Sequence, residues 1–174
     1  MSRPTTAQEV SIAPVTADER ALLERLVQLY AYDWSEILPA HLGGDGIFDG
    51  LPLDAYFADP ARHALVARVE GRLAGFALVD EGSRLTEDLA VFDMAEFFVM
   101  RGLRRRGVGR AVAFAVFDRF PGRWEVRQRD ENAAATAFWR RVIGGYTAGR
   151  YEEVRWDGPE WRGPVQSFVA GPRP

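Results

Sequence analysis

The stretch Glu96-Phe97-Phe98-Val99-Met100-Arg101-Gly102-Leu103-Arg104-Arg105-Arg106-Gly107-Val108-Gly109-Arg110 decides how this chain is read. Its first residues are apolar and strand-like. They run into a turn rich in Arg and Gly, and the turn opens into Val108, Ala111, Val112, Ala115 and Val116, spaced as on one face of a helix. A helix that starts there exposes backbone N–H groups with no carbonyl behind them, and its dipole is positive at that end. Both features attract a phosphate. Arg101, Arg104, Arg105, Arg106 and Arg110 add charge of the same sign. The expectation is a phosphorylated cofactor held at this turn.

Outward from the turn, residues 90–100 form the strand that feeds it, and the helix beyond it stops at Pro121-Gly122. Residues 124–129 read as a strand. Asn132 caps a second helix, with Ala134, Ala137, Phe138 and Val142 on its apolar face and Gly144-Gly145 at its end. Residues 151–156 and 165–170 are two last strands. Upstream, residues 64–70 and 72–80 pivot on Gly71 as a hairpin, followed by a polar turn over 81–87. Residues 8–15 alternate as a first strand. Thr16 or Asp18 caps a helix to about Tyr32, with Leu22, Leu23, Leu26, Val27 and Tyr30 on one face. Residues 33–60 are aromatic, acidic and glycine-bearing, and read as a short helix within ordered loops. Hairpins require antiparallel pairing, whereas the strand–helix–strand step from about 90 to 129 asks for a parallel pair. The expected fold is therefore α/β of the α+β type: a mixed, mostly antiparallel central sheet flanked by helices.

Composition narrows the function. At 174 residues the chain is expected to be one domain. Without cysteine it has neither disulfides nor a thiolate metal site, and with only His41 and His63 a histidine-rich metal centre is not expected either. No apolar run reaches the roughly 18–20 residues of a membrane span, and residues 1–5 lack the apolar core of a signal peptide. A cytoplasmic location is expected. All 22 basic residues are Arg, so no lysine is available for self-modification. Five of them lie in residues 101–110, leaving 17 against 25 acids elsewhere, a net of −8. A local basic patch on an acidic body suits an anionic cofactor and a cationic co-substrate. It does not suit a nucleic-acid backbone, because no aromatic platform is interleaved with the arginines.

Two segments together resemble the GNAT superfamily of N-acetyltransferases. Arg104-Arg105-Arg106-Gly107-Val108-Gly109 matches the family's Q/R-x-x-G-x-G/A turn. Asn132-Ala133-Ala134-Ala135-Thr136-Ala137-Phe138-Trp139, 23 residues beyond Gly109 and after an intervening strand, is similar to its N-x-x-A-x-x-F-Y segment. The resemblance is good over residues 62–156 and extends to 1–60 only in element order, with 157–174 supplying a C-terminal strand.

The resemblance implies acetyl-CoA as acetyl donor and no metal. It implies that the amides of Arg105, Arg106, Gly107, Val108, Gly109 and Arg110 cradle the pyrophosphate beside Arg104, with Gly107 and Gly109 permitting close approach. It implies that the strand at about 93–100 splays from that at about 123–129. The backbone of Phe97 and Val99, with Phe98 between them, then pairs with the pantetheine arm, and Asn132, Ala135, Phe138 and Trp139 line the other side. Glu96 is the first candidate to take the proton of a primary amine, ahead of Glu125 and Asp130, and the Val99 N–H is the expected oxyanion donor. The family often has a Tyr where this chain has Trp139. An indole N–H cannot serve as that proton source, so slower catalysis or a substitute donor such as Tyr146 is expected. The acceptor, a small molecule or a protein amine, is expected among Tyr30, Asp33, Trp34 and Glu36, whose rings and carboxylates suit a cation. The family often dimerises through its C-terminal strands, so a homodimer is compatible with the resemblance. Neither nucleic acid nor membrane is an expected partner. The alternative function is a non-catalytic acyl-CoA-binding sensor or interaction module, to which Trp139 points.

Overall fold

The computed structural model describes residues 9–171. The expected strand start at Gln8, residues 1–5 and the last three residues of the C-terminal segment lie outside the described residues. In chain order the elements are β1 (Val10–Pro14), α1 (Arg20–Trp34), α2 (Asp54–Ala58), β2 (Arg62–Val69), β3 (Arg72–Glu81), β4 (Val91–Val99), α3 (Val108–Arg119), β5 (Gly122–Arg127), α4 (Ala133–Thr147), β6 (Glu152–Asp157) and β7 (Arg162–Ala170). This is the order the sequence implies.

Local chemistry accounts for the joints. The Glu19 carboxylate accepts the Thr16 N–H at 3.2 Å, closing a capping box ahead of α1. Glu70 and Gly71 both take positive φ, 49° and 76°, as a two-residue hairpin turn between β2 and β3 requires. The Asn132 side chain accepts the Ala135 N–H at 3.0 Å and caps α4. Two expectations need correction. Gly144-Gly145 do not end α4, which continues to Thr147 and closes on Ala148 and Gly149 with φ of 53° and 81°. Its buried face is Trp139, Val142, Ile143 and Tyr146, while Ala134 and Ala137 are exposed.

The sheet runs β1-β2-β3-β4-β5-β7-β6 and is antiparallel except for β4–β5. Side chains alternate between two cores. On one face Leu23, Leu26 and Val27 of α1 pack on Val66, Phe76, Leu78 and Phe98. On the other, Val116 and Phe117 of α3 and Trp139, Val142 and Ile143 of α4 pack on Val79, Met94, Trp124, Val126 and Phe168.

Two features of β4 shape the surface between it and β5. Its parallel pairing with β5 covers only Val91↔Arg123, Phe92↔Trp124 and Asp93↔Glu125, after which the strands part. Against β3 the register slips by one residue, from Leu78↔Glu96 to Val79↔Met94, so Ala95 is a bulge. Strict alternation would put Glu96 on the same face as Met94, towards α3 and α4. The extra residue turns Glu96 to the opposite face, where it meets α1.

Candidate active site

The gap between the diverging strands is edged by β4. The Met100 N–H donates to the Ala74 carbonyl at 2.9 Å, and the Phe98 carbonyl lies where a Cβ on Gly75 would stand, so both of these residues address β3. By alternation, the amides and carbonyls of Phe97 and Val99 are turned into the seam. The Val99 carbonyl accepts the Arg104 Nε–H at 2.7 Å, which leaves its N–H directed there. Phe98 does not belong to the seam: its backbone pairs with β3 and its side chain is buried under α1. Past the strand, Gly107 sits at φ 82° as N-cap of α3, a left-handed conformation that glycine adopts without strain. The N–H groups of Val108, Gly109 and Arg110 follow in the first helical turn, where they lack helical acceptors. Gly109 also has a packing task that the sequence did not suggest. A Cβ there would stand 3.1 Å from the Phe138 ring, so its bareness lets α3 approach α4.

The arginines divide into two groups. Arg101 donates to Asp33 at 2.6 Å and to Glu36 at 3.1 Å, and Arg104 also donates to Asp33. These pairs tie the turn to the end of α1 and cancel two of the five positive charges. Arg105 and Arg106 are exposed and have no carboxylate partner among the described residues; Arg110 lies over the Phe114 ring at 4.8 Å. The same pairs remove Asp33 and Glu36 from acceptor binding, contrary to expectation, because both carboxylates are held at the Arg/Gly turn.

Two adjoining cavities lie at the seam. One, about 220 Å³, is lined by residues including Glu96, Phe97, Arg127, Arg129, Asn132, Ala135 and Trp139. The other, about 390 Å³, lies beneath α1 and the 38–51 loop, bounded by residues including Ala31, Leu38, His41, Phe48, Asp49 and Leu51. Tyr30, Trp34, Glu96 and Arg129 line both. A larger hollow of about 950 Å³ is lined by Trp124, Tyr146, Phe168 and their neighbours and contains none of the seam residues.

Glu96 is half-buried in the shared wall and accepts a hydrogen bond from the Tyr30 hydroxyl. Burial raises its pKa above the ordinary carboxylate value, with the Tyr30 hydrogen bond and the Arg127 charge opposing and the Asp93 and Asp80 charges reinforcing the shift. Tyr30 is held by edge contacts with Trp34, Phe76 and Phe98 at 6.0, 5.6 and 5.9 Å. Its own pKa is pushed far up, by burial first and then by the Glu96 charge, so it remains a donor.

Behind Glu96 lies a buried ionic strut. Arg127 of β5 donates to Asp93 of β4 at 3.1 Å, across the point where the strands part. Arg84 of the β3–β4 loop donates to Asp93 at 3.2 Å and to Asp80 at 2.8 Å. Asp93 is wholly buried.

On the α4 side, Phe97 stacks with Phe138 at 5.8 Å and meets the edge of Trp139 at 4.9 Å. The structure does not bring Tyr146 to this place. It lies 11 residues along α4 from Ala135, about 16 Å at 1.5 Å per residue, and its hydroxyl donates to Asp118 at 2.8 Å. Nor are Glu125 and Asp130 available: Glu125 accepts Ser83 Oγ at 2.6 Å and the Arg84 N–H at 2.9 Å, and Asp130 pairs with Arg155 at 2.6 Å. Sequence reasoning passed over Arg127, Arg129, Asp49 and His41. For Arg127 the available signal was a charge alternating with Trp124 and Val126 in a short strand, since a charge drawn into a core needs a partner.

The description "Acetyltransferase (GNAT) family" matches residues 23–144, more than half of the chain. The chain belongs to the GNAT acetyltransferase family. No curated protein is detectably similar to it. Among solved structures, an acetyltransferase from Thermus thermophilus is 19% identical with a TM-score of 0.66, the alignment covering 92% of this chain and 96% of that one. An aminoglycoside acetyltransferase in complex with coenzyme A is 14% identical, TM-score 0.65, over 92% and 95% of the two chains. The spermidine N-acetyltransferase of Vibrio cholerae, in complex with CoA and spermine, is 11% identical, TM-score 0.62, over 92% and 95%. These likenesses establish the GNAT fold: seven strands, one parallel pair and a splayed seam.

Proposed function

We propose that this protein is an acetyl-CoA-dependent N-acetyltransferase that moves an acetyl group to a primary amine by direct attack, with Glu96 as the base. The observation that carries the reading is the position of Glu96 in the one wall shared by two cavities, one opening on the strand seam and the other on α1. The neighbours that hold coenzyme A together with an amine support the same assignment.

The residues present fit the donor. The first-turn amides of α3 behind Gly107, with Arg105 and Arg106 beside them, suit a pyrophosphate. The seam-facing backbone of Phe97 and the Val99 N–H would pair with an amide-bearing arm, flanked by Asn132, Ala135, Phe138 and Trp139. When bound, the coenzyme supplies a thioester carbonyl. Glu96 takes the proton that the attacking amine loses as its N–C bond forms and the C–S bond breaks. A carboxyl whose pKa is raised by burial is better matched to that transfer than an exposed one. The Val99 N–H would stabilise the carbonyl oxygen as it gains charge. Trp139 stands where the family often has a tyrosine hydroxyl, so the thiolate would leave without a phenol from that position. With a pKa near 8.5 it tolerates this at some cost in rate.

Calorimetry with acetyl-CoA, combined with thiol release over a panel of amines, tests the proposal. Binding with amine-dependent release is the expected result. Binding with no release on any amine would favour the sensor reading that Trp139 suggests. No binding at millimolar coenzyme would overturn both.

A further inference from the structure

The charges around the larger of the two seam cavities are of both signs, whereas a polycation or a simple alkylamine calls for carboxylates alone. His41 aside, the charged side chains in its wall are Asp49, Glu96 and Arg129, set among apolar groups such as Trp34, Phe48 and Leu51. Arg129 is the unexplained member. It is half-buried, and its guanidinium donates to a single backbone carbonyl, that of Glu160, at 3.2 Å. No carboxylate among the described residues pairs with it, although Arg101, Arg104, Arg127, Arg140 and Arg155 all have such partners. A half-buried guanidinium that lines a cavity and uses one of its five donors in its bond to the Glu160 carbonyl is suited to an anion that arrives with the ligand. The anion has to be close to the reacting amine, because Arg129 lines the same two cavities as Glu96.

We infer that the acceptor is a small zwitterion: a primary amine that carries a carboxylate, with an apolar side chain, as in a hydrophobic amino acid. Arg129 binds the carboxylate, Glu96 faces the amine, and Trp34, Phe48 and Leu51 surround the apolar part. This rests on the acetyltransferase reading above. It also replaces the cation-only pocket that Asp33 and Glu36 suggested in the sequence.

The test is thiol release from acetyl-CoA with L-phenylalanine and L-leucine, each against its decarboxylated counterpart, phenethylamine or 3-methylbutylamine, with spermidine as the polycation. The wild-type protein is expected to prefer each carboxylated amine by at least tenfold in kcat/KM. In R129Q that preference falls by roughly 10- to 100-fold, the size of a lost charge-assisted hydrogen bond. R129K retains part of it. Because carboxylation alters the basicity of the amine as well, the change in preference on substitution is the decisive reading. The affinity for acetyl-CoA, measured by calorimetry, stays as in wild type. Preference for spermidine or the decarboxylated amines, an unchanged preference in R129Q, or a loss of coenzyme affinity instead would each overturn the inference while leaving the acetyltransferase reading intact. Coenzyme binding with no amine acetylated would overturn both.

Discussion

Removing one oxygen atom, in Tyr30→Phe, probes the base directly. The phenol donates to Glu96, and this bond stabilises the carboxylate against the burial that raises its pKa. The substitution keeps the ring and its contacts with Trp34, Phe76 and Phe98 at 5.6–6.0 Å, so packing changes little. A hydrogen bond to a charged group contributes about 1.5–3 kcal/mol. At 1.36 kcal/mol per pKa unit, its loss moves the Glu96 pKa upward by roughly one to two units. The sign follows from the role. A protonated carboxyl cannot take a proton, so the active form is reached only at higher pH, and the acidic limb of the kcat/KM profile shifts up by the same amount. Tyr30 itself stays protonated in the wild-type protein, because burial and the Glu96 charge both raise its pKa, so the bond persists across the profile. The limb set by the acceptor amine, near 10.4 for an alkylamine, stays in place and serves as the internal control. The assay is thiol release with phenethylamine and with L-phenylalanine at saturating acetyl-CoA, across pH. An acidic limb that stays put or moves down would refute the role of Glu96 as base. A uniform loss at every pH would instead show that the phenol acts by positioning alone.

Glu96→Gln should lower kcat by about 10²–10⁴, the contribution typical of a positioned base, while calorimetric affinity for acetyl-CoA stays the same. Its stability should move the other way. A carboxyl whose folded pKa is raised contributes fully below its unfolded pKa and loses that contribution as pH rises through the folded one. The Gln protein should therefore melt at or above the wild type at pH 8, with the difference closing on acidification. Arg127→Met breaks a buried pair, an event worth about 3–5 kcal/mol. Arg84 still reaches Asp93 at 3.2 Å, and the lower end, about 3 kcal/mol, is expected. For a domain of this size that is a fall in Tm of roughly 6–12 °C by thermal unfolding, and a fall under 2 °C would refute the strut. Gly75→Ala sets a Cβ 1.9 Å from the Phe98 carbonyl and should cost about 3 kcal/mol or more in urea unfolding. Gly109→Ala meets side chains alone, the Phe138 ring at 3.1 Å and a Val99 methyl at 3.9 Å, and should cost less than about 1 kcal/mol.

The elements and their order were legible because each is written locally. The Gly71 hairpin, the Asn132 cap and the helical spacing from Val108 are short-range patterns, and the strand–helix–strand step implies the parallel pair. The seam was legible through the family resemblance of two segments, since no periodicity records that two strands part after Asp93 and Glu125. What stayed hidden is long-range charge pairing. Asp33 and Glu36 stand beside Tyr30 and Trp34 in sequence and so suggested one acceptor pocket, yet their partners are 68 and 65 residues away at Arg101. The Ala95 bulge was equally hidden. It changes which face Glu96 occupies without leaving any mark in composition, because alternation in β4 is already obscured where the strand is buried on both sides.

The charges inside strands do carry information that alternation does not. Asp80, Asp93, Glu96 and Arg127 stand next to apolar strand residues, and each would be costly to bury alone. Placed together at the point where β4 leaves β5, they make one network in which Arg127 neutralises Asp93 and also lowers the pKa of Glu96. The same strut that offsets the missing hydrogen bonds of a parted sheet therefore adjusts the proton affinity of the candidate base. That dual role accounts for strongly charged residues at positions where the fold alone would be served by valine. It also predicts that stability and the acidic limb of activity change together in Arg127→Met, whereas in Tyr30→Phe the limb moves without the strut.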